Sequence, residues 1–166
     1  MAHITLGGSP ANTAGELPKI GQTFSFSKLV RNDLSEVSSE TYSGKMKVLS
    51  IFPSIDTGVC AASVKRFNKE ATQFKNTVVL NVSVDLPFAN ARFCGAEGIA
   101  NCETLSAFRS SFGKDLGLVI TDTAFIGLLA RAVVVLSADN KIIHTELVTE
   151  VGHEPNYEAA LKHLKQ

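Results

Sequence analysis

The side chains best suited to chemistry in this chain are its three cysteines, Cys60, Cys94 and Cys102. Cys60 follows Thr57-Gly58-Val59, just after an apolar run and at the head of an amphipathic segment. A helix amino terminus presents unpaired N–H groups and a partial positive charge. A thiol placed there ionises more readily, because the thiolate is the form such a terminus stabilises. Cys60 also falls on the apolar stripe of its own segment, and unpaired cysteine is among the most buried residue types. Position alone therefore weighs a reactive and an inert reading equally. Arg131 is the second informative residue, a permanent cation directly ahead of Ala132-Val133-Val134-Val135. A charge at the start of a buried strand is costly unless paired; the alternative is a long side chain reaching out to water.

Those residues need elements to hold them. Lys47–Phe52 (KVLSIF) is nearly continuous in apolar character and predicts a strand buried on both faces, ended by Pro53. Cys60, Val64, Phe67, Ala71 and Phe74 recur at helical spacing, which predicts a helix with Lys65, Arg66, Lys69 and Glu70 off the stripe. Thr77–Val84 (TVVLNVSV) is the next strand, completing a βαβ unit. Short helices are expected at Leu86–Ala91 and Ser106–Phe112. Arg131–Leu136 and Lys141–Val148 form two strands joined by the turn residues Ser137-Ala138-Asp139-Asn140, an antiparallel hairpin. Pro155 opens a last helix with Tyr157, Ala160, Leu161 and Leu164 inward. Upstream, short extended pieces are broken by Gly7-Gly8, Ser9-Pro10 and Gly15, His3–Leu6 and Ala11–Ala14 are candidates for a small hairpin, and Pro18–Asp33 is loop and extended chain.

Composition narrows the function. The 166 residues have the size of one domain, with 45% hydrophobic and 19% charged residues, an ordinary folded balance. Lys+Arg and Asp+Glu each number 16, so the neutral chain carries no electrostatic footprint for nucleic acid. Its apolar stretches are far shorter than the about 20 residues that span a bilayer. The start lacks the basic and apolar regions of an export signal, and an odd number of cysteines argues against a secreted disulfide framework. A soluble, cytoplasmic protein is expected, with its thiols reduced at the outset. His3, His144, His153 and His163 are scattered without metal-ligand spacing, so no metal is expected, and His144 reads as a structural residue in a strand. Gly7-Gly8 lacks the context of a phosphate loop, and no cofactor is expected.

Pro53-Ser54-Ile55-Asp56-Thr57-Gly58-Val59-Cys60 resembles the active-site motif of the peroxiredoxins. Asn81–Ala89 (NVSVDLPFA), Arg92–Gly98 (RFCGAEG), Gly127–Val135 (GLLARAVVV) and Glu154–Leu161 (EPNYEAAL) resemble the thiol peroxidase branch of that family. The resemblance runs in the expected order almost to the carboxy terminus. It implies an α/β thioredoxin-like fold, a mixed central sheet flanked by helices with an N-terminal β-hairpin, in one domain over 1–166. By resemblance Cys60 is the peroxidatic cysteine, whose thiolate attacks a peroxide oxygen and becomes a sulfenic acid. Thr57 is placed to turn its hydroxyl toward sulfur or peroxide, or simply to cap the helix. Pro53 corresponds to a wall of the pocket, or ends the strand and nothing more. Arg131 matches the family's pocket arginine, which favours the paired reading of that charge.

Cys94 matches the resolving cysteine, which closes a disulfide with Cys60 within one chain. The two lie 34 positions apart, and sequence does not show them close. A bridge needs Cα atoms within about 7 Å, hence local movement if the sulfurs start farther apart. Gly95 and Gly98 would ease it. Cys102 has no role in the pattern and reads as a small apolar residue. The resemblance further implies hydroperoxide substrates, thioredoxin as reductant and a homodimer. Two other classes compete. A non-enzymatic thioredoxin-fold binding module is disfavoured by the intact set of Pro53, Thr57, Cys60, Cys94 and Arg131. A dithiol oxidoreductase is disfavoured because Thr57 stands where C-x-x-C needs its first cysteine.

Overall fold

Alternation along the central strand decides how the chain is layered. In the computed structural model, which describes residues 1–71, 73–98 and 103–164, Leu49 and Ile51 face one side of a sheet while Val48 faces the other. The elements run β1 (His3–Leu6), β2 (Ser9–Asn12), β3 (Leu29–Val30), β4 (Glu36–Val37), β5 (Met46–Ile51), α1 (Gly58–Ala71) and β6 (Thr77–Ser83). They continue with α2 (Pro87–Glu97), β7 (Thr104–Ser106), α3 (Phe112–Asp115), β8 (Ala132–Leu136), β9 (Ile142–Leu147) and α4 (Tyr157–Leu161). Short 3-10 turns occupy Ser39–Tyr42 and Lys162–Leu164.

Seven strands form one mixed sheet in the order β4-β3-β7-β6-β5-β8-β9. β5 pairs parallel with β6 across α1, the expected βαβ unit, and antiparallel with β8 on its other edge. The β8–β9 hairpin is also as expected, in register from Ala132 opposite Leu147, with an irregularity at Val135/Leu136. One face of the sheet packs Leu49, Leu80, Leu105 and Val134 against Phe24, Phe26 and Phe112, whose rings meet tilted or edge-on at 6.0 to 6.5 Å. On the other face Val48, Val79, Val133 and Val135 pack with Phe67 of α1 and Tyr157 of α4, rings edge-on at 4.9 Å. Arg66 lies over the Tyr157 ring at 4.3 Å, closing the α1–α4 seam.

Five expectations need correction. The hairpin's second strand is Ser9–Asn12 rather than Ala11–Ala14, because the turn falls at Gly7-Gly8, both at positive φ. Ser106–Phe112 is not a helix. Thr104–Ser106 is strand β7, held between β6 and β3, and Phe108 is exposed while Phe112 is buried, so the two rings do not share a face. α2 is longer than Leu86–Ala91 and runs through Cys94 to a left-handed cap at Gly98, whose N–H donates to the Cys94 carbonyl. Finally, α4 begins at Tyr157, capped by Asn156, whose Oδ1 accepts from the Ala159 N–H at 3.1 Å; Pro155 lies outside it. α1 ends at Ala71, so Phe74 packs from beyond the helix.

β1 is stitched to the segment after β9. The Thr5 N–H donates to the Thr149 carbonyl at 2.7 Å, and the Val151 N–H donates to the Thr5 carbonyl at 2.9 Å. Glu150 accepts from the Gly7 N–H at 2.7 Å and from the Thr5 hydroxyl. The hairpin thereby reaches the end of the sheet where α1 begins. Among the described residues no helix is long and apolar enough to cross a membrane.

Candidate active site

The site lies where β5 hands over to α1. Phe52 and Pro53 are buried at the end of the strand, and the chain turns through Ser54–Thr57 before the helix starts at Gly58. Cys60 sits in the first turn, with no solvent exposure, in a small cluster with Phe52, Ile55, Val64 and Phe93. Burial and helix position thus hold together: the sulfur is on the apolar stripe and at the helix head.

Arg131 resolves the ambiguity left by its sequence position. It is 3% exposed, does not reach water, and is held by two contacts. Its Nε donates to the Val151 carbonyl at 2.8 Å, and its Nη2 donates to Cys60 Sγ at 3.2 Å. Charge-assisted hydrogen bonds of this kind are about twice as strong as neutral ones. Nη1 is buried and has no hydrogen-bond partner among the described residues, an open donor beside the sulfur.

A cavity of about 140 Å³ opens here, lined by Leu6, Pro53, Thr57, Phe125, Arg131 and Val151 among others. Three of those residues come from the expected set. Leu6, Phe125 and Val151 do not; they arrive from the hairpin, the loop before β8 and the segment after β9. Nothing in their local sequence marks them. Larger open grooves of about 790 Å³ lie elsewhere, one lined by Glu70, Phe74, Asn156 and Lys162, but it offers neither a nucleophile nor a buried cation. Among the described residues no group of His, Cys, Asp and Glu could hold a metal ion.

The Thr57 hydroxyl donates to the Ser54 carbonyl at 3.0 Å. Its single proton is committed to that bond, so toward the cavity it offers lone pairs. It is an acceptor rather than a donor to sulfur. The Ala61 N–H donates to the Thr57 carbonyl at 3.0 Å, an ordinary first-turn bond, so the capping and pocket readings of Thr57 coexist.

Cys94 lies on α2, half-buried, and packs against the same apolar cluster as Cys60. Its Sγ is 3.6 Å from Thr104 Oγ1, and that hydroxyl in turn donates to Asn32 Oδ1 at 3.0 Å. The Thr104 hydroxyl therefore links Cys94 to Asn32. Two ion pairs flank it. Arg92 of α2 meets Asp56 of the Cys60 loop at 2.7 Å, and Glu97 meets Lys65 of α1 at 2.5 Å. Cys102 lies outside the described residues.

Comparison with known proteins agrees with this fold. Residues 13–161 match the Redoxin family model. A thiol peroxidase of Corynebacterium glutamicum is 50% identical over 161 residues, covering 97% of this chain and 98% of that protein. A thiol peroxidase of Mycobacterium tuberculosis is 53% identical over 161 residues, covering 97% of each. A crystal structure of a peroxiredoxin-like protein from Aquifex aeolicus superposes with a TM-score of 0.93 at 33% identity, covering 99% of this chain and 96% of that one. The fold and site define a thioredoxin-like thiol enzyme. The chain belongs to the Redoxin family, as a peroxidase of the peroxiredoxin type.

Proposed function

We propose that the chain reduces hydrogen peroxide and organic hydroperoxides by an atypical two-cysteine route, with Cys60 peroxidatic and Cys94 resolving. The observation that carries this reading is the Arg131 Nη2 contact, 3.2 Å from Cys60 Sγ, beside the small cavity at the head of α1. The Cys60 thiolate attacks one peroxide oxygen, and the O–O bond breaks. The sulfur becomes a sulfenic acid, and the departing oxygen takes a proton as water or alcohol. Arg131 balances the negative charge through this step, and its open Nη1 is a donor for the peroxide oxygens. The Thr57 lone pairs accept the hydroperoxide O–H, and Leu6, Phe125 and Val151 contact an organic substituent.

The Cys94 thiol then condenses with the sulfenic acid, releasing water and leaving a Cys60–Cys94 disulfide. Cys94 must first leave Thr104, and α2 unwinds toward its Gly98 cap to allow it. Thioredoxin reduces the disulfide by thiol exchange, regaining both thiols. The reductant and a homodimeric assembly rest on the resemblance to the thiol peroxidases, and a cytoplasmic location on the reading of the sequence.

The test is peptide mapping of the reduced protein after one equivalent of peroxide, under non-reducing conditions. A Cys60–Cys94 peptide within one chain, with Cys102 still a thiol, is expected. Cys60→Ser should consume no peroxide. Cys94→Ser should consume one equivalent, retain a trappable sulfenic acid and fail to turn over with thioredoxin. An intermolecular disulfide, or undiminished turnover by Cys94→Ser, would remove Cys94 from its role.

A further inference from the structure

The loop that carries Pro53 and Thr57 has no regular structure of its own, yet both residues must be fixed to shape the cavity. Its anchor is Asp85, at the end of β6 and directly before α2. The carboxylate collects three donors. Oδ1 accepts from Ser54 Oγ at 2.8 Å, and Oδ2 accepts from the Ile55 backbone N–H at 2.7 Å and from Ser83 Oγ at 2.6 Å. The Asp85 N–H donates back to Ser83 Oγ at 3.2 Å, locking the carboxylate's own backbone. Ser54, so gripped, accepts from the Asp56 N–H through its Oγ and from the Thr57 hydroxyl through its carbonyl, at 3.2 and 3.0 Å. A continuous path of hydrogen bonds therefore runs from Asp85 through Ser54 to Thr57 Oγ1.

We infer that Asp85 is a positioning residue for the peroxide site, acting through Ser54 and Ile55 to set the Thr57 acceptor against the bound hydroperoxide. The inference rests on Cys60 being the peroxide-reducing thiol. Only an ionised carboxylate accepts from three donors at once without supplying a proton. An amide would turn an NH₂ group toward at least one of them. The anchor also lies in the bend between β6 and α2, before the helix begins, so unwinding of the last turns of α2 around Cys94 leaves the Thr57 loop held. The exposed Arg92–Asp56 pair joins the same loop to α2, but ion pairs in water contribute little.

Charge and position make opposite predictions for Asp85→Asn. Removing a negative charge near a thiolate would favour that thiolate and speed its reactions. Loss of position would slow attack on peroxide specifically, since misplacement by about 1 Å costs on the order of 100-fold in rate. The experiment measures two rate constants at Cys60 for reduced wild type and Asp85→Asn: oxidation by cumene hydroperoxide, and alkylation by iodoacetamide. Alkylation needs the thiolate but not the Thr57 acceptor. The ratio of oxidation to alkylation should fall about 10-fold or more in Asp85→Asn, and less steeply in Ser54→Ala, which removes one link only. Ser54→Ala decides the matter by the same ratio if Asp85→Asn fails to fold. A ratio within twofold of wild type, or both rates falling in parallel, would overturn the inference. Wild type that loses no Cys60 thiol to peroxide would instead overturn the proposed function itself.

Discussion

Arg131→Ala removes a buried cation in contact with the Cys60 sulfur. Hydrogen bonds to charged groups contribute about 1.5–3 kcal/mol. If the Nη2 contact at 3.2 Å supplies that much to the attack, the second-order rate constant should fall about 10- to 160-fold. Stability should change less. The Val151 carbonyl loses its donor, which costs about 1–3 kcal/mol, while removal of a buried cation returns part of that through relieved desolvation. Arg131→Lys should fall between the two, because one ammonium cannot reproduce a fork that serves the Val151 carbonyl and the sulfur at different angles. The chain has no tryptophan, so the rate is read by rapid quench, alkylation and mass spectrometry of the Cys60 peptide. A folded Arg131→Ala protein within twofold of wild type would refute the argument. Full activity in Arg131→Lys would refute its geometric half.

Thr57→Val should slow peroxide oxidation about 3- to 10-fold, the loss of one neutral hydrogen bond, with Thr57→Ser near wild type in the same rapid-quench assay. Burial, helped by neighbouring His163 and Lys162, holds His144 below its ordinary value of 6.5. The unfolded chain then binds the extra proton first, so this contribution to stability is complete above about pH 6.5 and is lost as pH falls toward the folded value. Urea midpoints should drop between about pH 7.5 and about pH 5.5, and His144→Gln should flatten the drop. Gly117 has φ +69° and a Cβ there would come within 2.5 Å of the Glu16 backbone nitrogen. Gly117→Ala should therefore destabilise by more than about 1 kcal/mol in chemical denaturation.

What could be read in advance followed the physics of local pattern. The Lys47–Phe52 run, the stripe from Cys60 to Ala71 and the turn at Ser137–Asn140 each had a period or a turn signal, and each lies where expected, with Phe74 alone falling beyond the helix. β3 and β4 are two residues long, too short to carry a period, and are held by pairing, β3 with β7 and β4 with β3. Ser106–Phe112 misled because spacing of four is shared by helices and by chance. At the site, Cys60 and Arg131 were visible through motif and anomalous charge. Leu6, Phe125 and Val151 were not, since ordinary apolar residues become a pocket wall only through tertiary approach. Asp85 was hidden for a related reason: its carboxylate matters through donors 30 residues upstream.

The stitching of β1 to Thr149–Val151 gives the amino terminus an unexpected reach. Thr5 holds Val151, the Val151 carbonyl holds Arg131, and Arg131 holds the sulfur. Leu6 touches the cavity directly. The match to the Redoxin family model begins at residue 13, so the matched span contains Cys60, Arg131 and Val151 but not the β1 half of this brace. A chain trimmed to the matched span would keep every reactive atom and lose the brace that presses Val151 into place.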